Sequence, residues 1–218
     1  MCVFDDIIEH CSSDSGSAKY VPVLLPAFHT YARAEETEVR QAAVYGLGAL
    51  AQHGPAACFD DAAQQQAAAL LMELVEAPDA FGDDYASASD NAVSALGKLC
   101  RRSEAIAAAA LPRWLRLLPL RTDKEEARLV HGSLVEMVES TNAHLLGANN
   151  ERLPDIIVVF GHVLGTDLIE PDKAERLINL LKQIRNGLPH VLQALPSHPG
   201  FAALSVEQRA ALESAISS

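Results

Sequence analysis

Residues 38–48 have the sequence Glu-Val-Arg-Gln-Ala-Ala-Val-Tyr-Gly-Leu-Gly, and the fold class is predicted from the way this pattern recurs along the chain. Its apolar residues, Ala43 and Leu47 among them, recur at the three- and four-residue spacing of one helical face. Thr37 is a plausible N-cap, and a Gly-Pro pair follows His53 and stops the helix there. The sequence therefore predicts one long amphipathic helix that begins at about Thr37 and ends at about His53.

The apolar pattern of this helix returns further along the chain. An offset of 49 residues carries its small and leucine positions onto five residues of the same types: Ala92, Val93, Leu96, Gly97 and Leu99. A further shift of 38 residues carries Leu96 onto Leu134 and Leu99 onto Met137. Small residues at these positions allow neighbouring helices to approach closely, and the leucines are expected to fill a shared core.

Leucine–proline pairs form a second repeating series in the sequence. We expect each pair to lie near the beginning of a helix. The pairs are Leu25-Pro26, Leu111-Pro112 and Leu153-Pro154, with prolines 86 and 42 residues apart. The periods of the two series average about 43 residues, within the roughly 40–47-residue unit of HEAT and armadillo arrays.

The fold predicted from these periods is all-α. It is a HEAT-repeat superhelical solenoid (α-α superhelix) of about five helix pairs, with residues 1–218 as a single array. Strand-like alternation of apolar and polar residues is absent from the sequence. The other helices are predicted at residues 3–11, 20–31, 62–76, 85–101, 105–118, 124–140, 152–164, 171–185 and 206–216, with a loop at 12–17.

Charge is distributed unevenly over the chain, whose net charge is −12. Residues 1–100 carry 15 acidic and 4 basic side chains, whereas residues 101–218 carry 14 and 13. An acidic half repels phosphate backbones and attracts basic proteins, so direct nucleic-acid binding is not expected. The four cysteines lack a CxxC pair and are predicted to be reduced thiols, and no apolar run is long enough to insert into a membrane.

Candidate catalytic and cofactor sites are weak in this sequence. No phosphate-binding loop occurs, and His131-Gly132-Ser133 lacks the strand-to-helix elbow of a nucleophile. Cys2, His10 and Cys11 could suggest a metal, but no second ligand pair follows at zinc spacing. We therefore predict no enzyme, no cofactor and no metal, and we place Trp114 in the core.

What remains is a binding surface on the second helix of each pair. In helical repeat arrays this helix commonly lines the concave face, where partners bind. We predict a polar, acidic ladder there as a groove for Lys/Arg-rich segments, with plain solvation as the alternative. Its residues are Glu38, Gln41, Tyr45, Asp83, Asp84, Ser87, Asp90 and Ser94.

Several stretches of the sequence also carry a family resemblance. Residues 38–48 resemble the second helix of a HEAT repeat, in which a Val-Arg pair precedes small and leucine positions. More specifically, the chain resembles the carboxy-terminal end of nuclear transport receptors of the importin-β superfamily, in the importin-β3 (Ran-binding karyopherin) branch. The matching stretches are residues 4–11, 38–54, 111–115, 118–120, 123–127, 146–150, 153–154 and 204–208.

The resemblance implies a receptor that carries basic cargo proteins through nuclear pores, contacts nuclear pore proteins and shuttles between cytoplasm and nucleus. Loading and unloading would be controlled by the Ran GTPase, whose amino-terminal site is expected to lie outside this chain. The chain is then expected to be the carboxy-terminal part of a longer solenoid. Two alternatives remain: a general HEAT scaffold, such as a phosphatase-type regulatory subunit, and a helical enzyme with a deep polar pocket.

Overall fold

The computed structural model describes residues 6–8 and 18–217 of the chain. Its helices are α1 (Val21–Tyr31), α2 (Thr37–His53), α3 (Asp61–Val75), α4 (Ala86–Arg102), α5 (Glu104–Trp114), α6 (Lys124–Glu139), α7 (Ala143–Leu146), α8 (Leu153–Val163), α9 (Pro171–Gly187), α10 (Pro189–Ala194), α11 (Pro199–Ala203) and α12 (Val206–Ser217). Short 3-10 turns occupy Leu115–Leu117, Ala148–Asn150 and Leu195–Ser197. Residues 6–8 are also helical, and no strand occurs within the described ranges.

The predicted fold class, all-α with HEAT-type helix pairs, is confirmed. Helices α2, α4, α6 and α9 begin at residues 37, 86, 124 and 171, so their starts are 49, 38 and 47 residues apart. The first two intervals are the offsets that relate the apolar patterns in the sequence. That residues 1–218 form one continuous array stays a prediction.

The chain divides into two compact units, Met1–Trp114 and Leu115–Ser218. In the first unit, α2 and α4 lie side by side in the most extensive helix contact, α1 packs on α2, and α3 and α5 flank α4. A Cβ placed on Gly48 of α2 would lie 3.3 Å from the Cβ of Ala95 on α4. The small residues therefore do allow the two helices to approach closely, as the sequence predicts.

Trp114, the only tryptophan of the chain, fills the contact between α4 and α5. Its side chain is fully buried, which confirms its predicted place in the core. The indole Nε1–H donates to the Val93 carbonyl oxygen at 2.8 Å, so the buried polar group is satisfied. Val93 and Gly97 are one helical turn apart, and Gly97 leaves the space beside the indole.

In the second unit, α9 packs on α6 and α12, and α12 packs on α8. A capping box begins α12: the Ser205 N–H donates to Gln208 Oε1 at 3.0 Å, and the Gln208 N–H donates to Ser205 Oγ at 3.2 Å. Gly161 of α8 lies under the leucines of the last segment, since a Cβ there would come within 2.8 Å of Leu204 Cδ1. The helix predicted at 206–216 is thus confirmed, and the capping box explains why it begins there.

Ion pairs between segments that are not adjacent in the chain recur at intervals close to the sequence period. In the first unit, Arg33 pairs with Glu73 and Arg113 pairs with Glu76, across 40 and 37 residues. In the second, the pairs between α6 and α9 or the loop before it include Lys124–Asp167, Lys173–Glu136 and Arg176–Glu139, across 43, 37 and 37 residues. These side chains are partly exposed, so the pairs fix register more than they add stability.

Some local predictions differ from the structure. The N-cap of α2 is Glu36, because Thr37 already has helical geometry and its hydroxyl donates to another segment. The leucine–proline pairs do not share one helix position: Pro154 lies in a first turn, but Pro26 is mid-helix and Pro112 is near a helix end. Most of the predicted helix at 3–11, all of the loop at 12–17, and Cys2, His10 and Cys11 lie outside the described residues.

Candidate functional site

Two acidic segments of the first unit lie side by side: the residues that lead into α2 and the loop 76–85 between α3 and α4. The Thr37 hydroxyl donates to the Asp84 carbonyl oxygen at 2.8 Å. On the other side of the loop, the Ser89 hydroxyl of α4 donates to the Ala80 carbonyl oxygen, and Ala80 is buried. The loop backbone is therefore held in place beside the start of α2.

Besides Glu76, which pairs with Arg113, these segments and the first turn of α2 display six exposed carboxylates, which we call the acidic rim: Glu35, Glu36, Glu38, Asp79, Asp83 and Asp84. Among the described residues, no Lys or Arg forms an ion pair with any of them. By contrast, Glu136 and Glu139 of α6 in the second unit form ion pairs with Lys173 and Arg176 of α9. An uncompensated cluster of like charge produces a field that attracts cations and is screened by salt.

Of the predicted partner-binding residues, Glu38, Asp83 and Asp84 belong to the acidic rim and are exposed. Three others are half-buried on α2 and α4: Gln41, Tyr45 and Ser87. The Lys98 ammonium of α4 lies 5.8 Å from the Tyr45 ring centroid. The structure therefore brings part of the predicted ladder together at the start of α2 and the loop before α4.

Asp90 and Ser94 are placed differently from the prediction, since they are only 3% and 2% exposed. The sequence prediction assumes that neighbouring helices cover only one side of α4. In the structure, α4 contacts three helices, α2, α3 and α5. Asp90 and Ser94 therefore lie inside the packed unit and do not line an accessible face. The exposed members of the predicted ladder are Glu38, Asp83 and Asp84, which belong to the acidic rim.

Arg40, which follows the acidic rim in α2, has its charge engaged locally. Its guanidinium lies 3.7 Å from the centroid of the Tyr85 ring, and its Nε donates to the Ala34 carbonyl oxygen at 2.8 Å. This contact joins α2 to the residue that ends the 76–85 loop. It also shows that an arginine and an aromatic ring stack at this surface.

A second feature is an apolar groove of about 280 Å³ between α3 and α5. Alanines from both helices line it together with Met72 and Ile106, and Arg113 stands at its edge. The Arg113 guanidinium is held by Glu76, whose Oε1 accepts from Nε at 2.7 Å. Sequence reasoning missed this groove, although the alanine-rich runs at 62–69 and 105–110 signal shallow helix surfaces.

Comparison with known proteins gives one consistent result. Importin-4 of Homo sapiens is 28% identical over 191 residues, covering 84% of this chain. Importin-4 of Mus musculus is 29% identical over 189 residues, with the same coverage. The chain is similar to importin-4. No protein-family model matches it.

The similarity to importin-4 supports the importin-β superfamily that the sequence resembles, in its coarse form as a karyopherin-like helical scaffold for protein binding. The importin-β3 branch and the carboxy-terminal position stay predictions. The matched region is 16% of the length of either importin-4, so the chain spans less than a fifth of these relatives.

The buried titratable groups of this importin-4-like chain have structural roles. His131 Nδ1–H donates to the Leu168 carbonyl oxygen at 2.7 Å, because Nε2 accepts from the Leu120 N–H at 3.2 Å. Burial lowers the pKa of His131 to about 4, although the bond to Leu168 favours the charged form. Both ring nitrogens of this histidine bond to backbone groups, which joins two loops to α6. Burial likewise raises the pKa of the Cys100 thiol to about 12, so it stays protonated.

Metal-binding clusters and membrane-spanning helices are absent from residues 6–8 and 18–217. In these ranges no three His, Cys, Asp or Glu side chains are grouped so that they could hold a metal ion. None of the helices there is both long and apolar enough to cross a membrane.

Proposed function

We propose that this chain is a protein-binding segment of a nuclear transport receptor, which carries basic cargo proteins through nuclear pores. In this proposal the segment lies in the carboxy-terminal part of a single HEAT array, in the importin-β3 branch of the superfamily. The receptor contacts nuclear pore proteins and shuttles between cytoplasm and nucleus, and Ran acts through the longer receptor. The similarity to importin-4 over 84% of the chain carries the proposal.

The acidic rim supports a basic partner. Its six exposed carboxylates lie on two segments that hydrogen bonds hold together, so the charge is presented on a pre-formed surface. Electrostatic attraction of this kind mainly raises the association rate, and it weakens as salt shortens the Debye length from about 10 Å at 0.1 M to about 3 Å at 1 M. A Lys/Arg-rich segment is the partner chemistry that this surface favours.

The binding test removes charge from the acidic rim without changing its shape. We expect the double variant Asp83→Asn/Asp84→Asn to bind a Lys/Arg-rich peptide several-fold more weakly at low salt, mostly through slower association. The matched control is Glu175→Gln/Glu213→Gln, which removes the same charge from exposed sites in the second unit. Equal affinity of the two variants would refute the acidic rim as the binding surface.

A pull-down from cell extract separates transport from the scaffold alternative. The proposal predicts recovery of nuclear pore proteins and basic import cargo with the wild-type chain. Reduced recovery of the cargo is expected with Asp83→Asn/Asp84→Asn but not with the control. Enrichment of a phosphatase catalytic subunit in place of transport factors would instead favour a general HEAT scaffold.

A further inference from the structure

Phe81 stands out in the 76–85 loop because its side chain is 47% exposed while the adjacent Ala80 is buried. Exposure of a phenylalanine is often the result of a loose loop, but this loop is fixed. Ala80 accepts a hydrogen bond from Ser89, and Asp84 accepts one from Thr37. Successive turns also close between Asp79 and Gly82 and between Gly82 and Tyr85, with N···O distances of 3.0 Å. The chain therefore presents the Phe81 ring to solvent from an ordered backbone.

Acidic residues flank this ring. Asp79, Asp83 and Asp84 are all within three residues of Phe81, and all are exposed. Within the described part of the chain, no Lys or Arg stacks on the Phe81 ring. An exposed π-face with carboxylates around it has the chemistry that binds a cation with a planar, apolar face.

The same surface contains an internal example of such a contact. Tyr85, four residues after Phe81, has the Arg40 guanidinium 3.7 Å from its ring centroid. Arg40 is supplied by the chain itself and is held there by the Ala34 carbonyl oxygen. Phe81 offers an equivalent ring for which the described chain supplies no cation.

We propose, on the basis of the basic partner in the proposed function, that Phe81 stacks on an arginine side chain of that partner while Asp79 or Asp83 accepts its N–H groups. Arginine is specified over lysine for two reasons. The guanidinium is planar and less strongly hydrated than an ammonium, so it stacks on a ring and can still donate two parallel hydrogen bonds to a carboxylate. A purely acidic surface would attract both residues through charge and would not depend on Phe81.

The test compares an arginine–serine repeat peptide with its lysine–serine counterpart by isothermal titration calorimetry at low salt. For Phe81→Ala we expect about two- to fivefold weaker binding of the arginine peptide, the range of an exposed cation–π contact. The affinity for the lysine peptide should decrease less in this variant than the affinity for the arginine peptide. Phe81→Leu, which keeps an apolar side chain without a π-face, should resemble Phe81→Ala, and Phe81→Trp should bind the arginine peptide at least as tightly as wild type.

Tyr31→Ala provides the matched control, since Tyr31 is an exposed aromatic of similar accessibility on α1, 50% against 47%. It should leave both affinities unchanged, and thermal unfolding should show that each variant keeps its fold. If wild type binds the arginine peptide but Phe81→Ala binds it equally well, this inference is overturned and the proposed function stands. If wild type binds neither peptide, the basic-partner chemistry itself fails, and the inference fails with it.

Discussion

The contact between Gly97 and Trp114 gives the sharpest test of how the first unit is packed. A Cβ added at Gly97 would lie 3.2 Å from both Cζ2 and Nε1 of the indole and 3.3 Å from Cε2. These distances are a few tenths of an ångström too short for an ordinary contact, and the indole cannot move freely. It is fully buried, and its Nε1–H is bonded to the Val93 carbonyl oxygen. We therefore expect Gly97→Ala to strain this site.

Two effects of opposite sign decide the size of the change. Alanine favours a helix interior over glycine by about 1 kcal/mol. Overpacking a well-filled core costs about 1–3 kcal/mol. The free energy of unfolding of Gly97→Ala should therefore fall by up to about 2 kcal/mol. The same substitution at an uncrowded helix site would raise it by about 1 kcal/mol.

Urea unfolding followed by far-UV circular dichroism measures this free energy. A double-mutant cycle with Trp114→Phe isolates the clash, because phenylalanine lacks Nε1 and the distal ring atoms that the new Cβ meets. The double variant should be less destabilised than the sum of the two single variants by about 1 kcal/mol or more. Gly187→Ala is the matched control: its Cβ would meet nothing within 4 Å, so it should be neutral or slightly stabilising.

A gain of about 1 kcal/mol in Gly97→Ala, with additive behaviour in the cycle, would contradict this packing. Helix α4 would then present another face to Trp114. Because Trp114 is the only tryptophan, its fluorescence emission gives an independent check in the single variant. A shifted spectrum is expected if the indole is displaced, and an unchanged one would agree with the contrary result.

Three further predictions follow from buried groups. Leu96→Ala should lower the free energy of unfolding by about 2–5 kcal/mol, since Leu96 is fully buried. If urea titrations show a decrease below about 0.5 kcal/mol, the helical phase assigned to Leu96 is wrong. His131 has a pKa of about 4 in the folded protein against 6.5 in the unfolded chain. Its contribution to the free energy of unfolding is therefore present above pH 6.5 and is lost as the pH falls toward 4. The loss should reach about 3 kcal/mol, and His131→Gln should remove this part of the pH dependence; equal slopes in both proteins between pH 6.5 and 4 would contradict it. A thiol reagent should modify native Cys58 faster than Cys100, which is buried with its pKa raised to about 12, and equal rates in mass spectrometry would overturn this expectation.

Periodicity made much of the fold predictable from the sequence. The offset that carries Leu47 onto Leu96 is also the interval between the starts of α2 and α4, because each repeat buries the same helix face. Trp114 could be placed in the core because a large apolar ring in a leucine-rich helix has few other stable environments. These signals depend on local pattern, which the sequence contains in full.

The candidate site was less predictable because burial depends on how many neighbours a helix has. Asp90 and Ser94 are polar residues, yet both are buried because three neighbouring helices pack around α4. The helix phase alone does not give the number of covering helices. The pairing of Thr37 with Asp84 likewise joins residues 47 apart, and only the tertiary structure brings them together to form the acidic rim.

We propose that the acidic rim of the first unit binds basic protein segments. Amide chemical-shift mapping with a Lys/Arg-rich peptide tests it most directly, because it locates the contact residue by residue. Perturbations are expected mainly at residues 35–40 and 77–85, and they should diminish as salt is added. Perturbations concentrated on α6 and α9, or none at low salt, would contradict this proposal.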